Sequence, residues 1–283
     1  MKANLKNSLV PFLLIFIFLS ACKVEPEYLP QARPESVGMS TARLARVDGI
    51  IREAVECKDF PGAVILVARK GKTVWRKAFG YGQWVPEKKP MSASMMFDLA
   101  SITKPVATAT SVMILVEQGR LRLWDKVTDF VPEFSVCVGE EGEKSEDACI
   151  WHLLTHTSGL PPYTEVEEVE EKYGAPVALE SMIEHIAQLE KLNPPGEEFH
   201  YSCLGFITLS HIVKKVSGKN IAEFAWENVF KPLRMDHTMY TPPPGLLDRC
   251  VPTQVYDGAP LVGIVHDPLA RLLGGISGNA GLF

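Results

Sequence analysis

Ser101 and Lys104 stand three residues apart in Ser101-Ile102-Thr103-Lys104, a spacing that can support nucleophilic chemistry. A serine hydroxyl is a weak nucleophile at neutral pH and needs a base beside it. On a helix, a residue three positions further on lies on the same face and within reach. A lysine serves as that base only where burial and a second cation favour its neutral amine. A helix N-terminus at Ser101 would also favour negative charge there, on the nucleophile and on an oxyanion. The bland alternative is a helix N-cap followed by a solvated lysine. The same spacing recurs at Ser20 and Lys23, so the surroundings of Ser101 carry the weight. Two other groups could do chemistry. His152 and His156 have the i, i+4 spacing of a zinc-binding helix pair, but Leu153 stands where a catalytic glutamate would be and no third ligand is evident. They are expected to be structural. His266-Asp267 is either a polar pair near a cleft or a turn-forming Asp ahead of Pro268.

The elements that must position Ser101 can be read from periodicity. Ser40 to Glu56 predicts a helix, with Leu44, Val47, Ile51 and Ala54 on one face and Ser40 as N-cap. Ala63 to Ala68 and Thr73 to Phe79 predict a hairpin about Lys70-Gly71-Lys72. Met96 to Ala100 then approaches the serine in extended form. Ser101 is expected to begin a long helix, with Pro105 in its first turn and Gly119 as its cap. Further helices are expected over Ile150 to Thr155, Leu179 to Leu192, Ser202 to Val216 and Ile221 to Val229. The acidic runs Glu140 to Asp147 and Glu165 to Glu171 read as solvated surface. Beyond Tyr240 the chain is loop-rich and ends in a glycine-rich stretch.

The composition is that of a globular protein, and a net charge of −5 without a basic run disfavours nucleic acid, so no nucleic-acid partner is expected. Lys2, Lys6 and the apolar stretch Leu9 to Leu19 form a signal-peptide pattern too short for a comfortable membrane span. Its end, Leu19-Ser20-Ala21-Cys22, resembles a bacterial lipobox, which implies a signal peptide over residues 1–21 and lipidation of Cys22. Residues 22–36, rich in proline and charge, then read as a tether, and residues 37–283 as the functional domain. With Cys22 lipidated, the other five cysteines cannot all pair within one chain. Cys137 and Cys149, flanking an acidic loop, are the best candidate disulfide.

Around the nucleophile the chain reads Phe97-Asp98-Leu99-Ala100-Ser101-Ile102-Thr103-Lys104-Pro105. This resembles the serine box of the serine β-lactamase and penicillin-binding-protein superfamily, in its class C branch. Three further blocks agree in order and spacing. They are His152 to Pro161, Pro194-Pro195-Gly196 leading to Tyr201-Ser202-Cys203, and Phe230 to Met235 followed by Thr238-Met239-Tyr240. The resemblance covers roughly Ser40 to Phe283. It implies an α/β (α+β) fold of the β-lactamase/transpeptidase type, with an antiparallel sheet portion and an all-helical subdomain. The C-terminal strands, and the Lys-Thr-Gly or His-Thr-Gly box they carry, would fall beyond Phe283. Asn279-Ala280-Gly281-Leu282-Phe283 resembles the glycine-rich segment well before that box.

By this resemblance Ser101 is the nucleophile, Lys104 the activating base and Tyr201 the proton shuttle. Cys203 takes the substrate-binding place of the family's asparagine. A thiol donates poorly and cannot reproduce both contacts of an amide, which points away from efficient β-lactam hydrolysis. No cofactor and no metal are implied. The expected activity is hydrolysis, through an acyl-enzyme, of a small ester, amide, D-amino-acid peptide or β-lactam. The expected setting is the cell envelope, on the membrane through a lipid anchor. The competing expectation is a catalytically impaired envelope lipoprotein that binds peptidoglycan-like peptides or a protein partner through the same cleft.

Overall fold

The computed structural model describes residues 29–136 and 144–283. The signal peptide, Cys22 and Cys137 lie outside them. Pro30 to Ala32, in the expected tether, lie against the sheet, with Ala32 N–H donating to the Thr73 carbonyl at 2.9 Å and Thr73 N–H to the Pro30 carbonyl at 3.0 Å, and Pro34–Val37 then forms a 3-10 turn. Helix α1 spans Thr41–Glu56, and the Ser40 hydroxyl accepts the Arg43 N–H as its N-cap. Its Leu44 is buried with Val37 and Val74, which fixes the helix on the sheet.

Strands β1 (Gly62–Arg69) and β2 (Lys72–Gln83) pair antiparallel, from Gly62 opposite Gly80 to Arg69 opposite Lys72. A bulge at Val67/Ala68 interrupts the register. A short strand β3 (Lys89–Pro90) extends the sheet in the order β1-β2-β3. The hairpin is thus longer at both ends than its alternating core predicts.

The helical portion holds the main core. It contains α2 (Thr110–Glu117), α3 (Ile150–Leu154), α4 (Val166–Tyr173), α5 (Leu179–Gln188), α6 (Cys203–Ser217) and α7 (Ile221–Ala225). α6 is buried at every position from Leu204 to Val213, as a helix at the centre of a bundle must be. Its polar residues turn back on their own helix, with Thr208 donating to the Leu204 carbonyl at 2.9 Å and Ser210 to that of Ile207 at 2.7 Å. Val112, Leu115, Leu153, Met182 and Ile186 are fully buried in the core it shares. Each such side chain contributes about 1.5–3 kcal/mol by leaving water.

Helix α4 corrects the reading of Glu165–Glu171 as plain solvated surface. Its glutamates do face water, but Val169 is fully buried, and one buried residue per two turns suffices to dock it. The loop-rich end holds a two-stranded ribbon, β4 (Val255–Tyr256) with β5 (Ala259–Pro260), and a short helix α8 (Pro268–Leu272). Among the described residues no helix is long and apolar enough to cross a membrane.

Candidate active site

Ser101 does not open a regular α-helix. It sits in a 3-10 turn, Ala100–Ile102, followed by a wide π-helical stretch, Lys104–Ala109, before α2 begins. The tight turn has a geometric effect: side chains at i and i+3 eclipse in a 3-10 helix, which sets Lys104 over Ser101. The widening follows Pro105, which has no N–H to give, and the Thr110 hydroxyl closes it by donating to the Pro105 carbonyl at 2.8 Å. Ahead of the serine, Ala100 has φ +45°, a conformation L-residues rarely adopt. Asp98 holds it there. Its Oδ1 accepts the Ala100 N–H at 2.7 Å, and its Oδ2 accepts the His266 N–H at 2.6 Å.

Ser101 is exposed and Lys104 is only 3% exposed, so the hydroxyl meets solvent while the amine does not. Lys104 Nζ has three partners: Ser101 Oγ at 3.1 Å, the Asn279 carbonyl at 3.1 Å and Cys203 Sγ at 3.5 Å. It also lies 4.9 Å from the centre of the Tyr201 ring, which remains 44% exposed at the mouth of the site. All four residues picked out by sequence within the fold (Ser101, Lys104, Tyr201 and Cys203) therefore gather around one amine. A neutral amine has two N–H groups and one lone pair. In the structure Nζ donates to all three acceptors; in the neutral form it would keep the bonds to Asn279 O and Cys203 Sγ and turn its lone pair to the Ser101 hydroxyl.

Cys203 is the first residue of α6, whose N-cap, Ser202, accepts the Gly205 N–H at 3.3 Å. The cysteine N–H donates to the Pro162 carbonyl at 2.9 Å, so its thiol is aimed by the backbone. Asn279 is completely buried, and its amide donates to Asp267 Oδ1 at 3.1 Å while its Oδ1 accepts the Ser277 hydroxyl at 2.6 Å. The segment it belongs to lies hard against α6: a Cβ on Gly278 would stand 2.0 Å from the Phe206 carbonyl oxygen. Thr108 donates to the Gly278 carbonyl at 2.8 Å, and Thr103 Oγ1 accepts the Leu282 N–H at 3.1 Å. Asp267 caps α8 through the Ala270 N–H and accepts the Tyr163 hydroxyl at 3.2 Å. Burial first, and then the Asp267 charge, push the Tyr163 hydroxyl well above the usual tyrosine range, which keeps it a donor. His266-Asp267 is thus a turn and cap, joined to the site through Asp98 on one side and Asn279 on the other.

The two histidines do not face one site. α3 ends at Leu154 and His156 has φ +60°, so the i, i+4 spacing does not place them on one helical face. His152 Nδ1 accepts the Cys149 N–H at 2.9 Å and its ring stacks on Trp151. His156 Nδ1 accepts the Ser202 N–H at 3.0 Å. Burial lowers the pKa of both, aided at His156 by the nearby Lys104 charge. Among the described residues no cluster of three His, Cys, Asp or Glu side chains is spaced to hold a metal ion. Cys149 carries a free thiol that burial keeps protonated; its proposed partner Cys137 is not among the described residues. Sequence reasoning passed over Asp98, Asn279 and Tyr163.

Comparison with known proteins gives the family. The family described as Beta-lactamase matches residues 47–280, and the chain belongs to that family. It has the β-lactamase/transpeptidase-like fold. An N-acetylmuramyl-L-alanine amidase of Bacillus subtilis is 31% identical over 287 residues, covering 92% of this chain and 63% of its own length. The chain therefore spans under two thirds of that relative. Among solved structures, EstCE1, a hydrolase with promiscuous acyltransferase activity, superposes with TM-score 0.69 at 26% identity, covering 84% of this chain and 68% of its own. An octameric penicillin-binding protein homologue from Pyrococcus abyssi gives TM-score 0.66 at 25% identity, covering 84% of this chain and 53% of its own.

Proposed function

We propose that the chain carries the acylation site of a serine hydrolase that works through an acyl-enzyme on small esters, amides or peptidoglycan-derived peptides. The observation that carries this reading is the buried Lys104 amine, 3.1 Å from an exposed Ser101 hydroxyl. On this reading Ser101 Oγ attacks the substrate carbonyl as its proton passes to Lys104 Nζ. Tyr201 delivers a proton to the leaving group and recovers one from Lys104. Water then adds to the acyl-Ser101 ester by the reverse relay and releases the acid. The thiol at Cys203, where an amide would grip a substrate's amide, favours simple acyl groups. The amidase relative and the hydrolase EstCE1 lend support to the chemistry and leave its substrate to experiment.

The test is labelling of the full chain with a fluorescent fluorophosphonate, alongside a fluorescent penicillin. Labelling should disappear in Ser101→Ala with the fold intact by circular dichroism. An unlabelled, folded wild-type chain would refute the enzyme and leave a binding protein using the same cleft. The setting belongs to the same proposal: Cys22, after a lipobox-like sequence, is acylated and anchors the chain in the envelope. Radiolabelled palmitate should be incorporated by the wild type and not by Cys22→Ser.

A further inference from the structure

Tyr201 belongs to a stretch, His200 to Ser202, with no regular secondary structure, so neither helix nor strand fixes its hydroxyl. One residue holds the backbone N–H groups of the residues on either side of Tyr201. The His200 N–H donates to the His156 carbonyl at 2.9 Å, and the Ser202 N–H donates to His156 Nδ1 at 3.0 Å. The His156 ring also lies over the Tyr201 ring, with centres 4.4 Å apart and planes inclined by 35°. On another side it rests on Phe206 of α6, 5.1 Å between centres. His156 thus grips Tyr201 by the backbone before it, the backbone after it and the face of its ring.

We propose that His156 is the positioning residue for the Tyr201 hydroxyl, holding it in register with Ser101 and Lys104. This rests on the reading of Tyr201 as proton shuttle. The ring must be neutral to do so, because an imidazolium has no lone pair for the Ser202 N–H. Burial acts in that direction. With Nδ1 accepting, the ring proton sits on Nε2. The left-handed φ of +60° restricts what can replace it. Asparagine adopts that conformation readily and can put an oxygen near the Nδ1 position, but it brings no ring.

The experiment is a double-mutant cycle on 4-nitrophenyl acetate turnover, using His156→Ala, His156→Asn, Tyr201→Phe and the combined variants. A positioned acid–base group contributes ~10²–10⁴-fold. His156→Ala should lower kcat by about tenfold to a hundredfold with KM within about twofold, and His156→Asn should recover part of the loss. In the Tyr201→Phe background there is no hydroxyl left to misplace, so His156→Ala should cost less than about twofold. Equal losses in both backgrounds would overturn the inference and leave the shuttle standing. Full activity of Tyr201→Phe would overturn the shuttle reading and this inference with it. His156→Asn, which keeps the backbone bond, serves where His156→Ala does not fold.

Discussion

Asp98 offers a measurable link between backbone strain and catalysis. Its carboxylate accepts two backbone N–H groups, those of Ala100 and His266, at 2.7 and 2.6 Å. A hydrogen bond to a charged group contributes ~1.5–3 kcal/mol, and both bonds lie near the surface, where water replaces part of that. Removing them with Asp98→Ala should therefore cost about 2–3 kcal/mol in total. For a chain of this size that is a fall in Tm of roughly 4–6 °C. Asp98→Asn should do little better, because its amide accepts on one side only and sets donor against donor on the other. Ala100, at φ +45°, sits in a conformation that costs ~1–2 kcal/mol and loses its tether in Asp98→Ala. Its relaxation would move Ser101, and a displacement of about 1 Å can cost ~10²-fold in rate. The assay is urea unfolding followed by tryptophan fluorescence, with ester turnover in parallel. Adding Ala100→Gly to Asp98→Ala should restore part of the stability. A change under about 0.5 kcal/mol with unchanged turnover would refute the clamp.

Two further outcomes are expected. His152, His156, His185 and His211 all have pKa values lowered by burial. The unfolded chain then binds more protons than the folded one below about pH 6.5, so stability present above that pH is lost as the pH falls toward the lowered values. The urea midpoint should drop between pH 7.5 and 5.5, and His211→Gln should flatten the slope; a slope unchanged by that substitution would contradict the assignment. At the site, Cys203→Asn should raise acylation by a β-lactam such as nitrocefin relative to 4-nitrophenyl acetate. A fall in that ratio would show that the thiol does not set the preference.

What could be read from the sequence was local or carried by side-chain identity. Ser101 and Lys104 are near neighbours in the chain, and α1 and the hairpin follow from periodicity over a few turns or pleats. Tyr201 was found because its type recurs in a known block, and Cys203 because it stands in that block where an asparagine is expected. The rest depends on long-range geometry. The acceptor that completes Lys104 is the backbone carbonyl of Asn279, which any residue would supply and no motif marks. His156 looked structural, and it is, but only the fold reveals which residue it holds. The π-helical widening after Pro105 likewise has no signature beyond the proline itself. Helix α4 escaped because a single buried valine among glutamates makes too weak a period to read.

The partnership between Lys104 and Asn279 also sets an order of events. The two residues are 175 positions apart, and Leu99, Thr103 and Thr108 have partners equally far along, at Leu282 and Gly278. A ribosome adding ~5–20 residues per second makes the lysine roughly ten to thirty seconds before its carbonyl partner. The bundle around α6 can gather from residues made earlier, with Ser101 already exposed on it. The relay is then closed by a glycine-bearing segment that has to thread against α6 at Gly278, where no larger residue fits. Completion of the site is thus a late step in the synthesis of each molecule, and a nascent chain holds the Ser101 hydroxyl before Lys104 has its full set of partners.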